Sequence, residues 1–464
     1  MRLAPADFRR CSRGIGFKNY SISAAARKLL IKDLPMQTSS RGSLFANHNF
    51  TLLFGGSTIS AIGDQFTLVA LPWLVLKLTG DPAALGLVLA TMALPRAAFM
   101  LIGGAVVDRM SPRRVLLGAR AINALLVSLL AVLVLAGAIQ MWTIYLIALG
   151  IGLSTAFTYP AGSAILPQLM EPKQLQPANA LMMGMRQLSM IVGPVLAGLL
   201  IDTGAHAGQQ QAVADASGLG LAFSVDALSF LFSLGSLMLV RIHSDHHPKT
   251  PVGSVLANVA SGIRNIWADL PLRAFILYAA VVSVFVGGPI QVGLPVLADT
   301  RLDLGAASLG ILMTANGVGM LLGSFLSGAA SKLVRGRLGL MVLGIDSLAG
   351  LALATLAFAH STVGGAALLT ANGMLGGIAQ IAIVSWIQRR VAPEMMGRTM
   401  SVLMFTFMGL GPLSAAIAGS LLKMISLPAL FVGAGLTLTA IALCCMTSPA
   451  LRSIGAARPT AEVG

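Results

Sequence analysis

Charged residues are scarce in this chain: Asp, Glu, Lys and Arg together make up 10% of it, against 56% hydrophobic residues. Soluble domains carry about 25% charged residues, so an ordinary water-soluble globule is excluded. Acids are scarcer still, with 16 Asp and Glu against 31 Lys and Arg. The resulting net charge of +15 does not point to nucleic acid, because no polar segment is long enough to fold a reader domain. Cysteine is limited to Cys11, Cys444 and Cys445, too few and too scattered for a disulfide framework or a zinc site. A Walker phosphate loop, a Gly-x-Ser-x-Gly elbow and a His-Glu-x-x-His pair are all missing, which leaves ATP drive and hydrolysis without a recognisable site. No cofactor is expected. His243, His246 and His247 are loosely spaced ahead of Pro248 and read as a solvated loop, so no metal is expected either.

Long apolar runs are what the chain has in abundance, and its mean hydropathy is +0.85. About 20 apolar residues make a helix that crosses the roughly 30 Å hydrocarbon core. In lipid only helices and closed barrels satisfy their own backbone, and these runs are too long for barrel strands. Twelve spans are predicted near 51–76, 84–107, 115–136, 142–166, 177–201, 219–240, 274–297, 306–330, 338–358, 363–387, 399–422 and 428–447. The predicted fold is an all-α polytopic membrane protein, twelve transmembrane helices in two pseudo-symmetric six-helix bundles. The loops after the second, sixth, eighth and tenth spans carry Arg109/Arg113/Arg114, Arg241/Lys249/Arg264/Arg273, Lys332/Arg335/Arg337 and Arg389/Arg390/Arg398. The opposite loops carry almost no Lys or Arg. The positive-inside rule then puts both termini and the central connector in the cytoplasm, in a cell inner membrane.

This reading divides the chain into a basic tail (1–47), a first bundle (48–241), a connector (242–272), a second bundle (273–447) and a C-terminal tail (448–464). The first tail is rich in Arg and Lys and has no apolar core segment, so it is no secretory signal. A disordered cytoplasmic tail, an organelle transit segment and a translation start at Met36 all fit its composition; the first is favoured. A monomer surrounded by the bilayer is the expected state.

The two halves repeat. Leu71-Pro72 is echoed by Leu294-Pro295, Leu85-Gly86 by Leu309-Gly310, Gly104 with its basic loop by Gly328, and Gly193-Pro194 by Gly411-Pro412. The offsets are 223, 224, 224 and 218 residues, and matching offsets in order indicate duplication. Duplicated halves with a substrate site between them, near the bilayer midplane, are how secondary transporters are built.

Between the second and third spans lies Gly104-Ala-Val-Val-Asp108-Arg109-Met-Ser-Pro112-Arg113-Arg114. Here the chain resembles the major facilitator superfamily, whose signature loop this is similar to. It departs in having Ser111-Pro112 where a glycine is usual. Gly63-Asp64, Leu94-Pro95-Arg96, Asn179-Ala180-Leu181, Gly193-Pro194-Val-Leu-Ala197-Gly198, Ala227-Leu-Ser-Phe230 and Gly397-Arg398 look like the branch containing macrolide efflux proteins and the enterobactin exporter. The resemblance implies alternating access and export coupled to proton influx. It also implies a conformational latch formed by Gly104, Asp108, Arg109, Arg113 and Arg114, beside which stands the plainer reading that the arginines only fix topology.

Intramembrane charges are costly and functional by default. Asp64 and Arg96 lie roughly 13 and 12 residues below the loop that joins their spans, about 20 and 18 Å at the helical rise, so they share a depth. A carboxylate held by a guanidinium stays ionised, and one separated from it in a dry cavity takes up a proton. The pair is either a coupling device or a permanent structural ion pair. Asp226 is a further proton-coupling candidate, on a span expected at the periphery. Asp346 and Arg186 read as helix bridges or snorkelling groups near the cytoplasmic ends. Gly193, Pro194 and Gly198 form either a kink or a close crossing in the fifth span, and the fourth span lacks the arginine of many drug–proton antiporters. Gln291, Asn316, Asn372 and Gln380 are cavity-lining candidates or interhelical bonders.

The function read from these residues is that of a secondary transporter, not an enzyme. It is a proton-coupled exporter of amphipathic small molecules of the drug, macrolide or siderophore kind. The alternatives are a lysophospholipid or metabolite transporter of the same fold and, in a different class, a membrane enzyme or scaffold. An enzyme of that kind needs clustered His, Asp or Glu at loop–membrane boundaries, and the sequence shows none.

Overall fold

The computed structural model describes residues 44–205, 216–241, 263–333 and 337–455; the side chains of 100–109 and of scattered other positions lie outside the described set. The basic tail before residue 44, Cys11 and the histidine cluster of the connector therefore fall outside it. Among the described residues, twelve helices are long and apolar enough to cross a membrane. The first half comprises α1 (His48–Thr79), α2 (Pro82–Arg109), α3 (Pro112–Leu135), α4 (Met141–Leu169), α5 (Pro172–Ala205) and α6 (Ala216–Leu239). The second comprises α7 (Leu270–Thr300), α8 (Gly305–Leu333), α9 (Leu338–Thr355), α10 (Thr362–Arg390), α11 (Pro393–Leu421) and α12 (Leu427–Cys445). A short α13 (Pro449–Arg452) packs back on the start of α9.

Helix ends follow local chemistry. Asn47 caps α1 by accepting from the Phe50 amide, and its Nδ2 donates to Leu169 O at the end of α4. Gly80 ends α1 in the left-handed conformation, φ 62°, which costs glycine nothing sterically. Asp269 caps α7 through the Leu272 amide. Asp269 also takes both Nε and Nη2 of Arg390, at the end of α10. Asn47 and Asp269 are 222 residues apart, and both cap a first helix while tying it to a fourth. The duplication thus extends to the caps. One departure is a π turn, Pro289–Gly293, inside α7. There Ser414 of α11 accepts from the Gly288 amide.

Packing within the halves repeats in the same way. α1 packs on α5 and α6, α2 on α4, and α3 on α4 and α6; α7 packs on α11 and α12, α8 on α10, and α9 on α10 and α12. The halves meet through α5 against α8 and α2 against α11. Adding six to each helix number turns one of these contacts into the other, as a twofold relation requires.

The closest approaches between halves lie toward the face opposite the chain ends. A Cβ on Gly310 would meet Pro194 O, and one on Gly198 would lie 2.6 Å from Ala306 O. On the other seam a Cβ on Gly86 would lie 2.5 Å from Ala415 O, and one on Gly419 would meet Pro82 O. Small residues let the backbones come this close in lipid. Two ion pairs of 2.8 Å join the halves on the same face, Lys77–Asp299 and Lys423–Asp81.

The Lys423 hydrogen bond holds the Asp81 carboxyl below the ordinary aspartate value; burial opposes this and the Ala83 amide adds to it. Because the paired value is depressed, the pair's contribution is present above about pH 3.9 and is lost only as pH falls through that lower value. Acidification from pH 8 to 5 is therefore expected to leave this contact closed. Lys423→Gln is expected to cost the closed face under about 1 kcal/mol, as for other exposed pairs. A spin-label distance between Gly80 and Met424 across pH, with and without the substitution, checks both.

Candidate functional site

Ser60, Gly63, Asp64 and Thr67 follow one another on α1 at positions i, i+3, i+4 and i+7, which puts them on one face of the helix. Asp226, Ser229, Phe230 and Ser233 repeat that spacing on α6, and Arg120 and Asn123 are one turn apart on α3. α6 packs on both α1 and α3, so these polar stripes meet inside the first half.

Asp226 is 1% exposed. Among the described residues its helix packs only on α1, α3 and α5 of the first half, and on that helix its carboxyl faces inward, packed against α1. Thr67 Oγ1 donates to its Oδ2 at 2.5 Å, and Ser229 Oγ lies 3.2 Å from its Oδ1. Gly63 makes this approach possible, since a Cβ there would lie 2.8 Å from Asp226 Oδ1 and would strike the Ser229 side chain. Buried polar groups need such partners, because each one left unmade costs about 1–3 kcal/mol.

Asp64 is half-buried beside Gly63. Its electrostatic neighbours are Arg120, Arg186 and Arg96. The pairing read from the sequence, Asp64 with Arg96, is thus one part of a wider arrangement. Arg186 does not sit at a helix end; it lies in the midst of these charges, acting on Arg96 and Arg120 as well as on Asp64. Arg120, to which the sequence reading gives no role, is 8% exposed. It donates to Ser60 Oγ, and its guanidinium lies 5.7 Å from the Phe230 ring. Spacing is the signal that could find it: a cation one helix away from two stripes that each carry an aspartate.

The other sequence candidates are spread out. Gly193 packs on Gln65 of α1, while Gly198 and Pro194 meet α8, so this motif serves close crossings on both sides of α5. Thr314 and Gln187, which carry no signal in the sequence, bond across the same seam to Ile191 O at 2.7 Å and Gly317 O at 3.4 Å. Asn316 donates to Leu369 O, linking α8 to α10. Asn372 is half-buried, Gln380 is exposed, and Gln291 is exposed in the π turn with Gly411 against it. Asp346 accepts from Tyr278 Oη at 2.7 Å and bridges α9 to α7. In the signature loop, the side chains of Asp108 and Arg109, and everything about Gly104 beyond its helical backbone, lie outside the described residues. Arg113 donates to Leu237 O and Met238 O at the end of α6, a favourable place for a cation; Arg114 is exposed. Among the described residues no group of His, Cys, Asp and Glu is placed to hold a metal ion.

The charged assembly of the first half can hold, exchange and screen charge within an apolar bundle. Residues 53–416 match the family model described as Major Facilitator Superfamily. The chain is similar to the multidrug efflux pump Tap of Mycolicibacterium fortuitum, 28% identical over 90% of this chain and 98% of that protein. It is also similar to the enterobactin exporter EntS of Escherichia coli, 25% identical over 77% of this chain and 81% of that protein. Among solved structures it is similar to the nucleoside transporter NupG, with a TM-score of 0.64 at 15% identity, covering 86% of this chain and 98% of that one. The chain belongs to the major facilitator superfamily, and its fold and relatives are those of a membrane transporter.

Proposed function

We propose that the protein exports amphipathic small molecules of the drug, macrolide or siderophore kind by alternating access, driven by protons moving the other way. The observation that carries this reading is the cluster of Asp64, Arg120, Arg186 and Arg96 inside the first half. Charges are kept within an apolar bundle when a transport cycle uses them. Asp64 would take up and release the coupling proton, with the arginines setting when it does so. The efflux relatives support the direction and the substrate class: one is named a multidrug efflux pump and one an enterobactin exporter.

In this reading residues 48–241 and 273–447 act as the two moving bundles, and both chain ends face the cytoplasm of an inner-membrane protein. The seams between α5 and α8 and between α2 and α11 then close the outer side. The basic loop with Gly104, Asp108, Arg109, Arg113 and Arg114 governs the cytoplasmic side. Lysophospholipids or other metabolites are the second substrate reading. The test is uptake of a radiolabelled macrolide into inverted membrane vesicles with an imposed pH gradient, acid inside. Uptake is expected to follow the gradient and to stop when an ionophore collapses it. Uptake unchanged by the collapse would contradict proton coupling.

A further inference from the structure

We propose that Arg120 is a shared counter-ion for which Asp64 and Asp226 compete, which makes Asp226 a second proton-binding group of the first bundle. This rests on the reading of Asp64 given above. The geometry leaves Arg120 uncommitted. It is more than nine-tenths buried and within electrostatic reach of both carboxyls, yet it forms an ion pair with neither and donates instead to the neutral Ser60. Its Nε has no hydrogen-bond partner. A guanidinium has five N–H donors in a fixed fork, and leaving one buried and unused is costly. That cost is removed whenever the head group turns to a carboxylate. Ser60 lies one turn from Asp64 on the shared face of α1, while Phe230, against which the guanidinium rests, is one turn from Asp226 on α6.

The Asp226 site is built to hold either form of the acid. Thr67, its closest partner, is a hydroxyl, which rotates to donate to a carboxylate or to accept from a carboxylic acid; Ser229 donates at 2.7 Å to the Asp226 backbone carbonyl and leaves its oxygen facing Oδ1. A permanent ion-pair site would place a cation there instead. The charged groups around the cluster are Asp64 on α1, Arg96 on α2, Arg120 on α3, Arg186 on α5 and Asp226 on α6. α4 carries no charged residue, and α7 and α8 carry theirs only near their ends. A cavity of about 10 Å³ lies beside Arg120 among Ser57, Gly56, Ser233 and Leu237, large enough for one water. It occupies the half of the bundle nearer the chain ends. In each exchange the proton that Asp64 gives up as Arg120 turns to it passes to Asp226, and Asp226 releases it toward the chain ends when Arg120 turns back.

The test is pH-difference infrared spectroscopy of the purified full chain in lipid nanodiscs, reading the carbonyl bands of protonated carboxyl groups. Two titrating bands are expected, one absent from Asp64→Asn and the other from Asp226→Asn. Arg120→Gln should displace the remaining titrations of both toward alkaline pH by about 1 unit or more, the usual effect of losing a close cation. Arg120→Lys should restore most of the wild-type profile. An Asp226→Asn spectrum identical to wild type, or a displacement of the Asp64 band alone in Arg120→Gln, would overturn the proposal. If Arg120→Gln does not fold, Arg120→Lys and Asp226→Asn decide it alone. Asp64→Asn vesicles that retain full gradient-driven uptake would instead sink the underlying reading, a separate result from either band.

Discussion

Asparagine in place of Asp64 is expected to reduce gradient-driven export to the level of vesicles without the protein, while substrate binding persists. The side chains are nearly the same size, so the substitution adds no bulk beside Gly63, whose surroundings are already closed by Ser229 and Asp226. What it removes is the charge to which Arg120, Arg186 and Arg96 respond. Without it the cluster holds three guanidinium groups and one carboxyl, and no proton can be taken up at that position. Counterflow of labelled against unlabelled substrate needs conformational change and no net proton movement, so it should survive in the same vesicles. Loss of counterflow and export together would assign Asp64 a structural role.

Leucine in place of Gly310 is expected to suppress transport by preventing the halves from closing on the face opposite the chain ends. The Cβ alone would meet Pro194 O, and Gly198 Cα is 3.2 Å away. These neighbours are backbone and cannot rotate out of the way. Overpacking of this kind costs roughly 1–3 kcal/mol, or about five- to 150-fold in the population of the closed state. α8 can remain folded against α10, through Gly373 and Gly377, so the defect should lie in the cycle and not in assembly. The expected result is near-normal thermal stability in detergent with strongly reduced export and counterflow. Wild-type transport would show that this seam need not close.

Much of the architecture is legible in the sequence because lipid leaves few alternatives. Twelve long apolar runs with basic loops on one side fix the helix count, and similar offsets in matching order between repeated motifs point to the duplication. The structure extends the same repeat to Asn47 and Asp269, which the sequence hides because the two caps differ in residue type. The site is less legible. Depth along a helix can be counted from a loop, and that places Asp64 level with Arg96. The face of a helix that meets a neighbour depends on which helices pack, and this is set by crossings such as Gly63 against Ser229. Arg120 escapes a sequence reading because it stands early in α3, where an arginine also suits the topology rule. Asp226 carries too little weight there because a sixth helix is expected to face lipid, whereas its Ser229 and Ser233 mark an inward stripe.

The central claim is that the two halves alternate in exposing the space between them. Its most direct test is the distance between spin labels on each face in lipid nanodiscs, with the native cysteines replaced. One pair is Gly80 with Met424, and the other is Arg114 with Arg337, all exposed. The expected result is two distances for each pair, with the short population of one rising as that of the other falls when substrate is added. A single distance on both faces under every condition would contradict it.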